Sequence, residues 1–266
     1  WGASISGGIT LWSGSDILCA YGNVTLKGVS MGGIGMFLTY AAGTGGGVTA
    51  DTGNVAIDGL SNSGYAATYI RLPVTATLGS VFISGAGNGT GGIYQDAWYG
   101  SVSAKTDISM IGYSTGAYGI YYGIGSVTST NGSVTLSGYS SSANTGYYGI
   151  YSNGINTSAV NGSITFQGAK INSTSSGSGY LVNAASTMSG STPNIPAPLF
   201  AVTDSASSTY GATNGLYWTG NITANTTTGQ INLYAKAPYI SGIMTAYGLF
   251  LGAANQSYSL SGSNAV

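Results

Sequence analysis

Histidine and glutamate are absent from this 266-residue chain, cysteine occurs once, and charge is confined to five Lys or Arg and six Asp. Without histidine there is no imidazole to serve as a general base beside a hydroxyl or thiol nucleophile, or to ligate zinc. A single cysteine, Cys19, cannot form an internal disulfide. The cations Lys27, Lys105, Lys170, Lys236 and Arg71 are spread along the chain, and the net charge is −1. No basic surface is therefore available to neutralise phosphates, which excludes nucleic acid as a partner and leaves anionic membrane without an electrostatic foothold. No continuous apolar run is long enough to span a bilayer. The chain opens at Trp1 without an initiator methionine or signal peptide, and reads as a processed or excised portion of something larger.

The acids are Asp16, Asp51, Asp58, Asp96, Asp107 and Asp204. Asp51 and Asp58 fall in one repeat, and no others are spaced as a pair of glycosidase carboxylates. Metal clusters, phosphate loops and activated nucleophiles are likewise missing. The expectation is a protein without catalysis, cofactor or metal.

What the chain has in abundance is glycine, 46 residues, set among apolar side chains too regular for a disordered segment. The motif Gly-x-(Val/Ile)-x-(Leu/Ile/Phe)-x-Gly recurs from Gly22, Gly53, Gly79, Thr106, Gly132, Gly162 and Gly229, at steps of 31, 26, 27, 26, 30 and 67 residues, the last being two turns. A repeat of this length is the signature of a solenoid. Inside each copy apolar and polar residues alternate, which is strand periodicity. A shorter apolar-x-small segment precedes each copy, as in Ile17-Leu-Cys19, Val48-Thr-Ala50 and Ile155-Asn-Thr157. Earlier still stands a Gly-Ile-Tyr segment at Gly92, Gly119 and Gly149, with Gly215-Leu-Tyr217 and Gly248-Leu-Phe250 as variants. Three short strands per turn make an all-β, single-stranded parallel β-helix covering residues 1–266 as one domain. Phe200-Ala-Val202 is assigned to the missing turn, with Pro193, Pro196 and Pro198 beside it in a corner or loop. About nine turns, stacked at the ~4.8 Å spacing of paired strands, would give a rod on the order of 40 Å long.

Stacked turns convert this alignment into predicted contacts. Val24, Val55, Val81, Ile108, Val134, Ile164 and Ile231 form one interior column, and Leu26, Ile57, Ile83, Met110, Leu136, Phe166 and Leu233 a second. Cys19, Ala50, Ala76, Ala104, Ser129, Thr157 and Ala224 form a column of small residues, so Cys19 reads as an inert thiol chosen for size. Asn23, Asn54, Ser80, Asp107, Ser133, Ser163 and Gln230 form a polar ladder at a corner. Lys27 and Asp58 should meet on the outer face. Gly32-Gly-Ile-Gly35 and Gly45-Gly-Gly47 are read as tight corners with positive φ, in preference to nucleotide loops. Nine Asn-x-Ser/Thr sequons permit glycosylation without arguing for it, since a chain this rich in Asn, Ser and Thr generates them readily.

The candidate functional feature is an aromatic ladder on the third strand, Phe37, Tyr69, Tyr94, Tyr121, Tyr151, Tyr217 and Phe250. Facing in, it is core; facing out, it packs against another fibre or offers ring faces to sugars. A Thr array for ice binding is poor, because Thr25, Thr135 and Thr165 are interrupted by Ala56, Phe82 and Ser109. A polysaccharide lyase would need an acidic cleft that six scattered Asp do not suggest.

Ala3-Ser-Ile5-Ser-Gly7 and Tyr258-Ser-Leu260-Ser-Gly262 read as the first and last copies of the long motif. Neither looks like a polar cap, so Trp1, Ala3, Ile5, Tyr258 and Leu260 are assigned to an end-to-end interface between open strand edges.

Taken together, Gly132 to Gly138, Gly162 to Gly168 and Gly149-Ile-Tyr-Ser-Asn-Gly-Ile155 resemble the shaft repeats of filamentous-haemagglutinin-like adhesins of two-partner secretion, with autotransporter passengers as the second choice. The resemblance implies an extracellular right-handed β-helix serving as a stalk or adhesive fibre. No Asn-Pro-Asn-type signature of that family's secretion domain is present, so the resemblance is to shaft. The expected function is a non-enzymatic segment of a cell-surface filament that associates with itself, the alternative being a cell-surface glycan-binding module.

Overall fold

The computed structural model describes residues 2–4 and 7–170, apart from 13, 40–44, 96–99, 124, 143–146, 153–155, 161 and 163, and beyond Lys170 the backbone of eight further strands. The chain is an all-β parallel solenoid with three strands per turn. About five turns are described with their side chains, not the nine expected from the repeat.

Each turn contributes one strand to each of three sheets, and every pairing is parallel. The long-strand sheet holds Val24–Ser30, Val55–Ser61, Val81–Gly87, Ile108–Ser114, Val134–Ser140 and Ile164–Lys170. The aromatic sheet follows with Ile34–Leu38, Thr68–Ile70, Gly91–Gln95, Tyr118–Tyr122 and Ile150–Ser152. The short-strand sheet completes the turn with Gly47–Ala50, Val74–Ala76, Val102–Ala104, Ser126–Ser129 and Asn156–Ala159.

The long-strand register matches the motif residue for residue: Val24, Val55, Val81, Ile108, Val134 and Ile164 stand in line, as do Leu26, Ile57, Ile83, Met110, Leu136 and Phe166. Apart from half-buried Leu26, these side chains are sealed in the core. Each contributes roughly 1.5–3 kcal/mol by leaving water.

The motif's last glycine does not end the strand, as a corner would. Long strands run on two residues past Gly28, Gly59, Gly85, Gly112 and Gly138. A Cβ at Gly28, Gly85, Gly112 or Gly138 would strike the carbonyl of Gly35, Gly92, Gly119 or Gly149 in the aromatic sheet of the same turn. These glycines let the backbones of two sheets touch. Gly35 is likewise inside a strand, correcting its reading as a corner with positive φ; among the described glycines positive φ occurs at Gly14, Gly22 and Gly46. Two residues on, buried Ser30, Ser61, Ser114 and Ser140 fasten the bend. Ser61 Oγ donates to the Gly33 carbonyl at 2.7 Å, Ser114 Oγ to that of Gly89 at 2.9 Å, and Ser140 Oγ to that of Ala117.

Three registers differ from expectation. Val127 pairs with Thr157 and Ser129 with Ala159, so Ala159, not Thr157, continues the small column after Cys19, Ala50, Ala76, Ala104 and Ser129. The letters misled, because Ile155-Asn-Thr157 fits the apolar-x-small pattern, whereas the constant step of 30 residues from Val127 to Thr157 and from Val134 to Ile164 gives the true register. Gly2, not Gly7, pairs with Gly28, which moves Ala3 beside Val29. Tyr258–Ser261 pairs with Ile222–Asn225 in the short-strand sheet, so Tyr258 and Leu260 are not in a copy of the long motif. The two ends therefore do not share one phase. Phe200 stands in backbone register with Phe166, as the missing turn requires.

Candidate functional site

The aromatic column forms because a strand alternates its faces: Ile93, Ile120 and Ile150 point into the core, while Tyr94, Tyr121 and Tyr151 stand half-buried on the outside. Phe37, Tyr69, Tyr94, Tyr121 and Tyr151 occupy one register position over five turns. The ladder faces out. Tyr69, Tyr94, Tyr121 and Tyr151 stack with centroids 5.1, 4.3 and 5.1 Å apart and planes inclined by 4°, 3° and 19°. Phe37 meets Tyr69 edge-on at 5.2 Å, and exposed Trp12 meets Phe37 at 6.1 Å. The Arg71 guanidinium lies 5.9 Å from the Tyr69 ring centre.

At the other end the ladder broadens. Tyr118 contacts Tyr121 at 5.5 Å, Tyr147 at 5.2 Å and Tyr151 at 5.1 Å. Its phenol is pushed up to about 12, chiefly by burial and then by Tyr151, Tyr147, Tyr148 and Tyr121 around it. Backbone register puts Leu181 between Tyr151 and Tyr217, so the ladder is interrupted there; the Tyr217 and Phe250 side chains lie outside the described residues.

Stacking decides what the ladder can do. A sugar packs its C–H face on an open ring face, and here the faces of Tyr94 and Tyr121 are turned on their ladder neighbours. Edges and hydroxyls are what the outside meets. The arrangement ties one turn to the next, each ring pair contributing ~0.5–1.5 kcal/mol beyond area burial.

A more exposed ring occurs elsewhere. On the outer face of the long-strand sheet a shallow groove is lined by Thr25, Lys27, Asp58, Phe82, Ser109 and Ile111. Phe82 is 45% exposed and Ile111 49%. Lys27 and Asp58 are paired in register, as expected, and Asp58 Oδ1 accepts a hydrogen bond from Ser84 Oγ at 2.6 Å. Sequence reading missed this groove, although Phe82 interrupting the Thr column was its signal.

Three described acids, Asp51, Asp58 and Asp107, serve as ties between turns. Asp107 Oδ1 accepts from the Ser133 amide at 2.8 Å, continuing the corner ladder in which Asn23 Oδ1 takes the Asn54 amide at 2.7 Å and Asn54 Oδ1 that of Ser80 at 2.8 Å. Asp51 accepts from Thr77 Oγ1 at 3.4 Å. Asp96 and Asp204 lie outside the described residues. Among the described residues no three Cys or Asp come together as a metal site. The half-buried Cys19 thiol donates to the Tyr21 carbonyl at 3.2 Å. Trp1, Ile5 and the side chains of Ala3, Tyr258 and Leu260 lie outside the described residues.

No protein-family model matches the chain, and no curated protein or solved structure matches it.

Proposed function

We propose that this chain is a structural, non-enzymatic shaft segment of an extracellular filament or adhesin, akin to the filamentous-haemagglutinin-like exoproteins, whose coil continues through about nine turns and stacks end to end. The observation that carries it is that the aromatic ladder, the corner amides of Asn23 and Asn54, and Asp51, Asp58 and Asp107 all spend their interactions between turns, which suits a rod and leaves little for chemistry.

Electron cryomicroscopy of concentrated protein tests this. Rods longer than one chain, with the ~4.8 Å strand repeat unbroken across the joint, are expected. Single rods of one chain's length at every concentration would overturn it.

A second reading, adhesion to a neutral cell-surface glycan, is favoured at one place, the groove beside Phe82. There a half-exposed ring stands in a groove shared with Asp58, Ser84 and Ser109. On a glycan array Phe82→Ala should abolish any binding that Tyr94→Leu leaves intact; the reverse pattern would return the site to the ladder.

A further inference from the structure

Inside the aromatic sheet Leu38, Ile70, Gln95, Tyr122 and Ser152 share one register position. The first two are apolar, and the next three bring polar atoms into the core at 0% exposure. Gln95 Nε2 donates to the Gly100 carbonyl, while its Oε1 has no protein donor. Ser152 Oγ is buried and unpaired in the same way. Across the interior, Thr157 stands where earlier turns carry Val48, Val74, Val102 and Val127. Its hydroxyl faces that of Tyr122 without a well-formed hydrogen bond of its own. Tyr122 Oη makes a long contact of 3.5 Å to the Gly125 carbonyl. Polar groups thus replace apolar ones in two columns over the same few turns, and Ser152 cannot fill the layer that Tyr122 fills one turn earlier.

Buried polar atoms without partners are rare, because each forfeits its hydration. A cation would sit among neutral oxygens with no carboxylate to compensate it. An apolar guest would leave every orphan unmet. Water both donates and accepts, and needs two to four polar partners. We propose that this seam binds ordered internal water, with one molecule bridging Tyr122, Ser152 and Thr157. Bound there, water links two successive turns through the core as the tyrosine ladder links them outside.

A high-resolution crystal structure of the full chain, paired with water-oxygen magnetic relaxation in solution, tests the assignment. Density within hydrogen-bond reach of Ser152 Oγ and Thr157 Oγ1, and long-lived water in solution, are expected. The double variant Ser152→Ala, Thr157→Val should lose the bridging molecule and unfold at no lower a temperature, since both orphans go with it. Direct protein–protein hydrogen bonds at these atoms, a cation in the density, or an unchanged count of long-lived water in the variant would each overturn the proposal. Should the variant fail to fold, the wild-type density alone decides.

Discussion

The first and third turns carry the same motif in the same register, yet Leu26 is half-buried in one and Ile83 is 1% exposed in the other. The difference is not in the residue but in what lies above and below it. Val81–Gly87 is paired along its whole length on both sides, whereas Val24–Ser30 is paired throughout on one side and only from Gly28 on at the other. Burial in this fold is something neighbouring turns confer on each other, as in other solenoids whose stability is a sum of repeat and interface terms. Contacts made inside one turn should therefore be indifferent to position, and contacts made between turns should not.

The glycine edge breaks the comparison most sharply, because it lies within a turn. Gly28→Val and Gly85→Val should both cost more than about 4 kcal/mol or prevent folding, since each added side chain meets a backbone carbonyl. Gly64→Ala, with nothing within 4 Å of the new Cβ, should stay within about 0.5 kcal/mol. Urea denaturation of the three variants checks this. Next come the core columns, where position should matter. Ile83→Ala should cost about 2–5 kcal/mol and Leu26→Ala less than about 2, measured the same way.

Aromatic stacking should follow the same gradient on a smaller scale. Tyr94→Leu, between two stacked neighbours, should lose about 1–3 kcal/mol of ring contact, and Trp12→Leu, with one edge contact on an exposed ring, about 0.5 kcal/mol or less. Alkali probes the ladder's crowded end. Folding raises the Tyr118 phenol from 10.0 to about 12, so the unfolded chain loses its proton first. The contribution is whole below pH 10 and is lost as pH rises to about 12. Because Tyr118 is half exposed, the loss should be about 1 kcal/mol at most, and Tyr118→Phe should remove that part of the pH dependence of the melting temperature. The smallest effect belongs to the Lys27 and Asp58 pair, where Lys27→Ala should change stability by about 0.5 kcal/mol or less.

Much of this fold was legible because period-two alternation and a constant spacing together specify both the face and the neighbour of each side chain. Val24 through Ile164 could be lined up from letters alone, and so could the corner amides of Asn23 and Asn54. Thr157 was misplaced because Ile155 supplied the apolar letter that the pattern asks for, although the step from Val127 to Thr157 equals that from Val134 to Ile164. Gly35 looked like a corner because glycine serves both bends and close approach, and the letter does not say which. The buried Ser30, Ser61, Ser114 and Ser140 column was present in the repeat two residues past the motif's last glycine, but lay beyond the motif as it was read. Whether Tyr94 faced in or out was likewise undecidable from its neighbours Ile93 and Gln95, since both flank it in either orientation. Gln95 in fact faces the core, against its polarity, and that exception is the start of the polar seam.

Amide hydrogen exchange, followed turn by turn as protein concentration rises, tests the account most directly. End-to-end stacking predicts that Ile9, Leu11 and Ile17 exchange fast in dilute solution and become protected at high concentration, while Val81 and Ile83 stay protected throughout. Concentration-independent exchange of the first turn would contradict it.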